Sequence, residues 1–356
     1  MSPPSPASLT VDLGAVASNY RALKVQAAGA EVAAVVKADA YGLGADRVAA
    51  RLWAEGARTF FVARVAEGEA LRRSFGPRRS ADIYVLDGVD ADTAARFRAA
   101  GLRPVLNAPH QADAWRTLGG GEPCAVHVDT GMNRLGFRPE QAAALSTGLD
   151  GLNVAVVMSH LSCGSEAGHE SNTRQAQLFA EVRRLFPSAR ASLSNSAGSF
   201  SGERYRHDLL RPGISLYGGG PFDTPDARLR PVATLTAPVL QVRDVPPGES
   251  VGYGCAFTAE AAVTVAIVGI GYADGVLRSA WPNGGVWIAG ARRRLLGRVS
   301  MDLLAVDATG AEIRPGDRAE LFGANLPIDQ AAADWNTIAY ELITRVGPRV
   351  ERVWIN

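Results

Sequence analysis

Between Ala30 and Gly218 the chain repeats one pattern: a short apolar run, a polar or glycine-containing turn, then an Ala/Arg-rich stretch with apolar residues three and four apart. The runs at 31–40, 59–65, 81–88, 103–108, 124–131, 153–161, 191–198 and 209–218 read as strands. The intervening DRVAARLWAEGA, VDADTAARFRAAG and NTRQAQLFAEVRRLF read as helices that cover the outside of a sheet. Eight βα units within about 220 residues predict a closed (β/α)8 TIM barrel, with an open doubly wound sheet as the alternative.

After Pro231 the texture changes to long alternating or β-branched runs, VATLTAPVLQVRDV, AAVTVAIVGIGYADG and GGVWIAGARRRLLGRVSMDLLAVDAT, separated by PPGES, PNGG and RPGD. Only DWNTIAYELITRV, near the end, has helical spacing. The pattern predicts an α/β barrel domain over residues 1–231, with 1–8 as a loose tail, and a mostly β domain over 232–356.

Composition narrows the function. A net charge of +1 gives no global field for nucleic acid or an anionic membrane, so the expected partner is a small molecule. No apolar run reaches the length of a bilayer span, and the N-terminus has no apolar leader segment. Cys124, Cys163 and Cys255 are widely spaced and odd in number, which fits reduced thiols, a cytoplasmic location and no metal site.

Among 37 basic residues, Lys24 and Lys37 are the only lysines. Lys37 ends the apolar run VAAVV, where desolvation lowers an amine's pKa and makes it the nucleophile that Schiff-base chemistry needs, which arginine cannot be. A strand-end lysine reaching out to water is the plain alternative. Barrel active sites lie at the C-terminal strand ends, which also carry Arg134, His160, Ser196 and Arg211 with Gly213. Glycine there lets backbone N–H groups approach a phosphate closely, or simply makes a tight turn. Beyond the barrel, Tyr253 in GYG and Tyr272 in IGYADG have glycines beside the ring, leaving each phenol accessible or packed in a turn.

VVKADAYGLG, HVDTGMNRLGF, SNSAG with RPGISLYG, VGYGCAFTA, IGYADG and GRVSMD together resemble, in order and spacing, the alanine racemases, and the likeness runs from about residue 8 to the end. Those enzymes use pyridoxal 5'-phosphate and interconvert L- and D-alanine. The resemblance implies that Lys37 binds the cofactor as a Schiff base and is the base on one face of the substrate Cα. It makes Tyr253 the base on the other face, contributed by the partner subunit of a homodimer. It places Arg211 against the cofactor's pyridine nitrogen, with His160 linking Arg211 to Tyr253. Arg134 falls beside the tyrosine and the substrate carboxylate. Tyr41, Ser196, Gly213 and Ile214 fall around the phosphate, and Met301, Asp302 and Tyr272 around the substrate pocket. An amino-acid decarboxylase, or a racemase of broader specificity on the same scaffold, is the alternative reading.

Four positions depart from the family pattern. His127 stands where a lysine, often carbamylated, commonly positions the arginine. Trp354 stands where a tyrosine usually hydrogen-bonds the phosphate, so it has only an indole N–H to offer. Leu43 replaces a common histidine, and Gly252 a common serine.

Overall fold

The computed structural model describes residues 6–76, 79–148 and 151–356. Contacts divide the chain into two units, Ala17–Leu216 and a second that joins the N-terminal residues through Val16 to Tyr217–Asn356.

In the first unit, Ala34–Val35, Thr59–Val62, Asp82–Val85, Leu102–Leu106, Pro123–His127, Asn153–Met158 and Arg190–Ser192 form a parallel sheet in chain order. Leu209–Leu210 closes the ring. It pairs in parallel with Glu31–Val32, the start of the first strand, and Ala33 N–H donates to the Leu210 carbonyl at 2.9 Å. On its other side Arg211 N–H donates to Ser194 O and Asp208 N–H to Ala191 O. The barrel reading holds because every apolar run buries both faces: Phe60, Phe61, Ile83, Tyr84, Val85, Val105 and Val126 have no exposed surface. Phe61 stacks on Tyr84 with ring centroids 5.1 Å apart. Helices cover the outside with one buried face each. In Glu170–Val182, for example, Asn172, Gln175, Ala176, Phe179 and Val182 are buried at the predicted three- and four-residue spacing.

At the N-terminal end of the strands, polar residues tie the ring together. Arg103 pairs with Asp82 at 2.6 Å, Arg190 pairs with Glu31, and Thr59 donates to Glu31 at 2.5 Å. Ion pairs at this end of a barrel serve stability, leaving the opposite end for chemistry.

Three strand expectations end early. The first strand stops before Lys37 and the chain turns helically over Lys37–Gly42. The seventh gives way to a helix at Ser196–Phe200, and the eighth to a short 3-10 turn at Ile214–Tyr217.

The second unit is mostly strand. Its sheet runs Ala291–Arg294, Gly285–Ile288, Arg318–Phe322, Ala233–Val245, Ser8–Asp12 and Glu351–Ile355, while Val263–Val268 and Leu304–Asp307 extend from the long central strand. The tail expected over residues 1–8 lies in its first five residues outside the described residues. Ser8 already belongs to a strand, antiparallel to Ala233–Thr236 and parallel to Glu351–Ile355. In DWNTIAYELITRV the helix is confined to Ala339–Thr344; a second helix, Ile328–Asp334, precedes it, and the two are separated where Asn336 adopts a φ of 58°.

Candidate active site

Lys37 sits at the C-terminal mouth of the barrel, half-buried, directly after the first strand. Burial, followed by the positive charge of Arg134, lowers its pKa, with Glu67 and Asp87 opposing. The amine therefore has the depressed basicity that a nucleophile requires.

The four residues after it, Ala38 to Tyr41, all lie in the left-handed helical region, with φ between 52° and 59°. Such a conformation costs roughly 1–2 kcal/mol per L-residue, so surrounding contacts must impose it. Glu67 supplies one: its Oε1 accepts from Ala38 N–H at 2.8 Å, while its Oε2 is anchored by Ala63 N–H at 2.7 Å and Arg64 N–H at 3.1 Å. Asp39 Oδ1 accepts from Ala45 N–H at 2.7 Å. The turn buries Tyr41 and brings its hydroxyl against Gly213, where any Cβ would overlap it.

Gly213 begins a cradle of donors. The buried Ser196 hydroxyl accepts from Gly213 N–H at 3.0 Å and Ser215 N–H at 3.3 Å, and Ile214 lies between them. The Ser215 hydroxyl is fully buried and has no hydrogen-bond partner. The Ser196 hydroxyl, the two backbone N–H groups it accepts from and the Tyr41 phenol beside Gly213 make a group of donors suited to a phosphate.

Arg211, 5% exposed at the end of the eighth strand, donates Nη1–H to Ser192 Oγ and Nη2–H to the Ser159 carbonyl at 2.6 Å. Burial lowers its pKa to about 9, which leaves it charged at neutral pH. Its guanidinium thus hydrogen-bonds two serines and reaches His160 through charge. Burial and the charges of Arg211 and Arg134 hold the His160 ring neutral, while its carbonyl accepts from Gln175 at 2.8 Å. His127 is also neutral, its pKa lowered to about 4 by burial and then by Arg211.

Arg134 is exposed on a loop that leaves the fifth strand at Asp129 and returns at Phe137, where Phe137 N–H donates to His127 O at 2.8 Å. Lys37, Tyr41, Arg134, His160, Ser196, Arg211, Gly213 and Ile214 all lie at strand ends or in the loops just beyond them.

In the second unit, Tyr253 stands at the tip of a hairpin whose arms, Ser250–Val251 and Phe257–Thr258, pair directly. Its ring is 70% exposed. Gly252 and Gly254 flank it with positive φ, and Arg298 lies against Gly254, 2.9 Å from where a Cβ would be. Tyr272, Met301 and Asp302 form a second group. Tyr272 N–H donates to Ser300 O, Ala273 N–H to Met301 O, and Arg349 bridges Asp274 and Asp302, each at 2.8 Å. Trp354 is a partly buried member of the strand Glu351–Ile355, opposite Val11.

Glu67, Asn107, Ser192 and Ser215 escape the sequence reading. Asn107 had a signal, since it is a polar residue at the end of the fourth barrel strand. Glu67 had a weaker one, an acid in the first turn of the helix Val65–Phe75.

The chain is similar to known proteins over nearly its whole length. Residues 11–221 match the family model "Alanine racemase, N-terminal domain" and residues 232–354 match "Alanine racemase, C-terminal domain". An alanine racemase of Methylobacterium sp. (strain 4-46) is 44% identical, covering 99% of both chains. A catabolic alanine racemase of Mesorhizobium japonicum is 43% identical over 98% of this chain and 93% of its own. Among solved structures, the alanine racemase of Bartonella henselae with covalently bound pyridoxal phosphate superposes with a TM-score of 0.92 at 36% identity, covering 99% of this chain and 100% of that one. The biosynthetic alanine racemase of Pseudomonas aeruginosa gives 0.93, also at 36% identity, with 99% of each chain covered.

Proposed function

Since the chain belongs to the alanine racemase family, we propose a division of labour among its residues for the reaction that family performs, the interconversion of L- and D-alanine. The family depends on pyridoxal phosphate, and the barrel mouth fits that group. The orphaned Ser215 hydroxyl and the convergent donors of Ser196, Gly213 and Tyr41 suit its phosphate, and the weakened base Lys37 suits its aldehyde. When bound, the cofactor supplies an electron sink that acidifies the substrate Cα–H.

Lys37 Nζ holds the cofactor and exchanges a proton with one face of Cα. Tyr253 of the partner subunit serves the other face through its phenol oxygen. Inversion requires two such groups, because the proton must leave one side and return on the other. What supports this role for Tyr253 is a phenol presented at a hairpin tip and left 70% exposed, a poor position for a packing residue. Arg211, charged and buried, donates toward the pyridine nitrogen without releasing its proton, which limits side reactions such as transamination. His160, neutral beside it, carries the electrostatic influence of Arg211 toward the phenol. Arg134 binds the substrate carboxylate, and Met301 and Asp302, contributed like Tyr253 by the partner subunit, close the pocket around a small side chain, with Tyr272 beside its entrance. Trp354 is the candidate for an additional phosphate donor.

The assembly we infer is a homodimer with shared sites. The three widely spaced cysteines, an odd number, support a cytoplasmic location, and among the described residues no helix is long and apolar enough to cross a membrane. The test is conversion of L-alanine to D-alanine by the cofactor-loaded protein, detected with a D-specific oxidase. Release of CO2 from a basic or dicarboxylic amino acid in place of that conversion would favour the decarboxylase alternative.

A further inference from the structure

Arg349 is a cation to which the reaction above gives no task. It stands between the helix Ala339–Thr344 and the strand Glu351–Ile355, and its guanidinium reaches two carboxylates of the same unit. Nε–H donates to Asp274 Oδ1 at 2.8 Å and Nη2–H to Asp274 Oδ2 at 3.1 Å, a two-pronged contact, and Nη2 also pairs with Asp302 Oδ1 at 2.8 Å. The two acids differ in their surroundings. Asp274 is buried, and its Oδ2 accepts a further hydrogen bond from Gly271 N–H at 2.9 Å. Asp302 is exposed, and among the described residues Arg349 is the one cation that pairs with it. A lone surface ion pair holds little, but a forked contact to a buried acid fixes the guanidinium, and the guanidinium then fixes Asp302.

Both acids lie on the turns that carry the candidate pocket residues. Tyr272 N–H donates to Ser300 O at 3.0 Å and Ala273 N–H to Met301 O at 2.9 Å, so the two turns meet backbone to backbone. Gly271 permits this approach, since a Cβ there would lie 2.4 Å from the carbonyl oxygens of Ser300 and Met301. Gly347 N–H donates to Asp274 O at 2.9 Å and brings the segment bearing Arg349 to the same place. The side chains flanking Asp302 in this group, Tyr272, Met301 and Leu303, are large, apolar and exposed. Asp302 is thus an acid on an apolar face, and its charge is balanced by Arg349.

We infer that Arg349 is a positioning residue for the substrate pocket: anchored on the buried Asp274, it pins the Asp302 carboxylate and cancels its charge on the face that receives the carboxylate of alanine. The inference rests on the racemase reading for the identity of that ligand. Without Arg349 the same face would present an unpaired acid to an anionic group, and the two would repel. Arginine suits the task better than lysine, because one planar fork holds two acids in a fixed orientation, whereas an ammonium is a point charge on a flexible stem.

The test uses cofactor-loaded enzyme, with propionate as the carboxylate probe and its Kd read by calorimetry beside alanine kinetics. Arg349→Gln, which keeps amide donors for Asp274 and removes the charge, should raise the propionate Kd and the alanine KM about fivefold, with kcat changed less than about twofold. The rise should shrink as ionic strength goes from about 0.02 to about 0.5 M, because salt screens the unmasked acid. Adding Asp302→Asn to Arg349→Gln should bring both constants back to within about twofold of wild type. Loss of a merely structural bridge would give no such rescue and no such salt dependence. Unchanged constants in Arg349→Gln, a rise indifferent to salt, or losses that add when Asp302→Asn is introduced overturn the inference. Should Arg349→Gln fail to fold, Arg349→Lys is compared with Arg349→Lys carrying Asp302→Asn; tighter propionate binding by the second supports the inference, and equal or weaker binding overturns it. Wild type that binds propionate without racemising alanine would defeat the functional reading and leave the propionate comparison to decide this one, while wild type that binds no propionate overturns it.

Discussion

The Glu67 carboxylate accepts a hydrogen bond at 2.8 Å from the backbone N–H of Ala38, the residue that follows Lys37. This one contact links the start of the second helix-bearing segment to the strained turn that carries the reactive amine. Glu67→Ala should remove the acceptor for three backbone donors and lower stability by about 1–3 kcal/mol, with weaker cofactor retention. Glu67→Gln, which keeps one carbonyl oxygen, should lose less. Thermal unfolding of both variants, with and without added cofactor, measures the difference.

Gly213→Ala places a methyl group where the Tyr41 hydroxyl lies. The barrel should remain folded, because the displaced atom is the far end of a side chain, while the donor cradle is disturbed. Cofactor affinity is expected to fall about tenfold, in the range of an overpacking cost of roughly 1–3 kcal/mol. Equilibrium dialysis against pyridoxal phosphate reads this directly, and unchanged affinity would remove Tyr41 and Gly213 from the phosphate site.

Lys37→Arg keeps a cation at the strand end but not a primary amine. The expected protein is folded by circular dichroism, lacks the visible absorbance of lysine-bound cofactor and does not racemise alanine. A variant with intact absorbance would show that another amine holds the cofactor.

The pH dependence of stability follows from His127. Its pKa is lowered from 6.5 to about 4 in the folded protein, so the unfolded chain takes up a proton first as pH falls. Folding stability should therefore decline from about pH 6.5 down to about pH 4, by roughly 1.4 kcal/mol per pH unit from this ring, and be fully present above pH 6.5. His160, lowered for the same reason, steepens the slope. Urea unfolding of wild type and His127→Gln across this range should show a flatter dependence in the variant. Parallel curves would mean that His127 is not neutral in the fold.

The sequence carried the barrel clearly, because strands buried on both faces must be apolar and VAAVV, TFFVA and DIYVL could hardly be otherwise. It could not reveal the left-handed turn after Lys37. Ala38, Asp39, Ala40 and Tyr41 contain no glycine to announce positive φ, and one of the contacts that holds the turn comes from Glu67, almost thirty residues away. The strand Ser8–Asp12 was hidden for a similar reason, since its partners lie at 233–236 and 351–355 and no local pattern marks them. The break at Asn336 did have a local cue, as asparagine tolerates the left-handed region better than most residues. At the site, Lys37, Ser196 and Arg211 were legible as polar residues at strand ends. Ser215 was not, because its importance lies in a buried hydroxyl left without a partner.

The two-base assignment is the central claim, and isotope exchange in D2O tests it most directly. The overall equilibrium constant of a racemisation is one, so loss of either base lowers kcat/KM equally in both directions, whereas exchange at Cα from each enantiomer is free to differ. Wild-type enzyme should place deuterium at Cα starting from either enantiomer. Tyr253→Phe should continue to exchange D-alanine through Lys37 while its exchange of L-alanine falls by about 10²-fold or more. Exchange of both enantiomers at equal rates in Tyr253→Phe, or no exchange at all by cofactor-loaded wild type, would contradict the account.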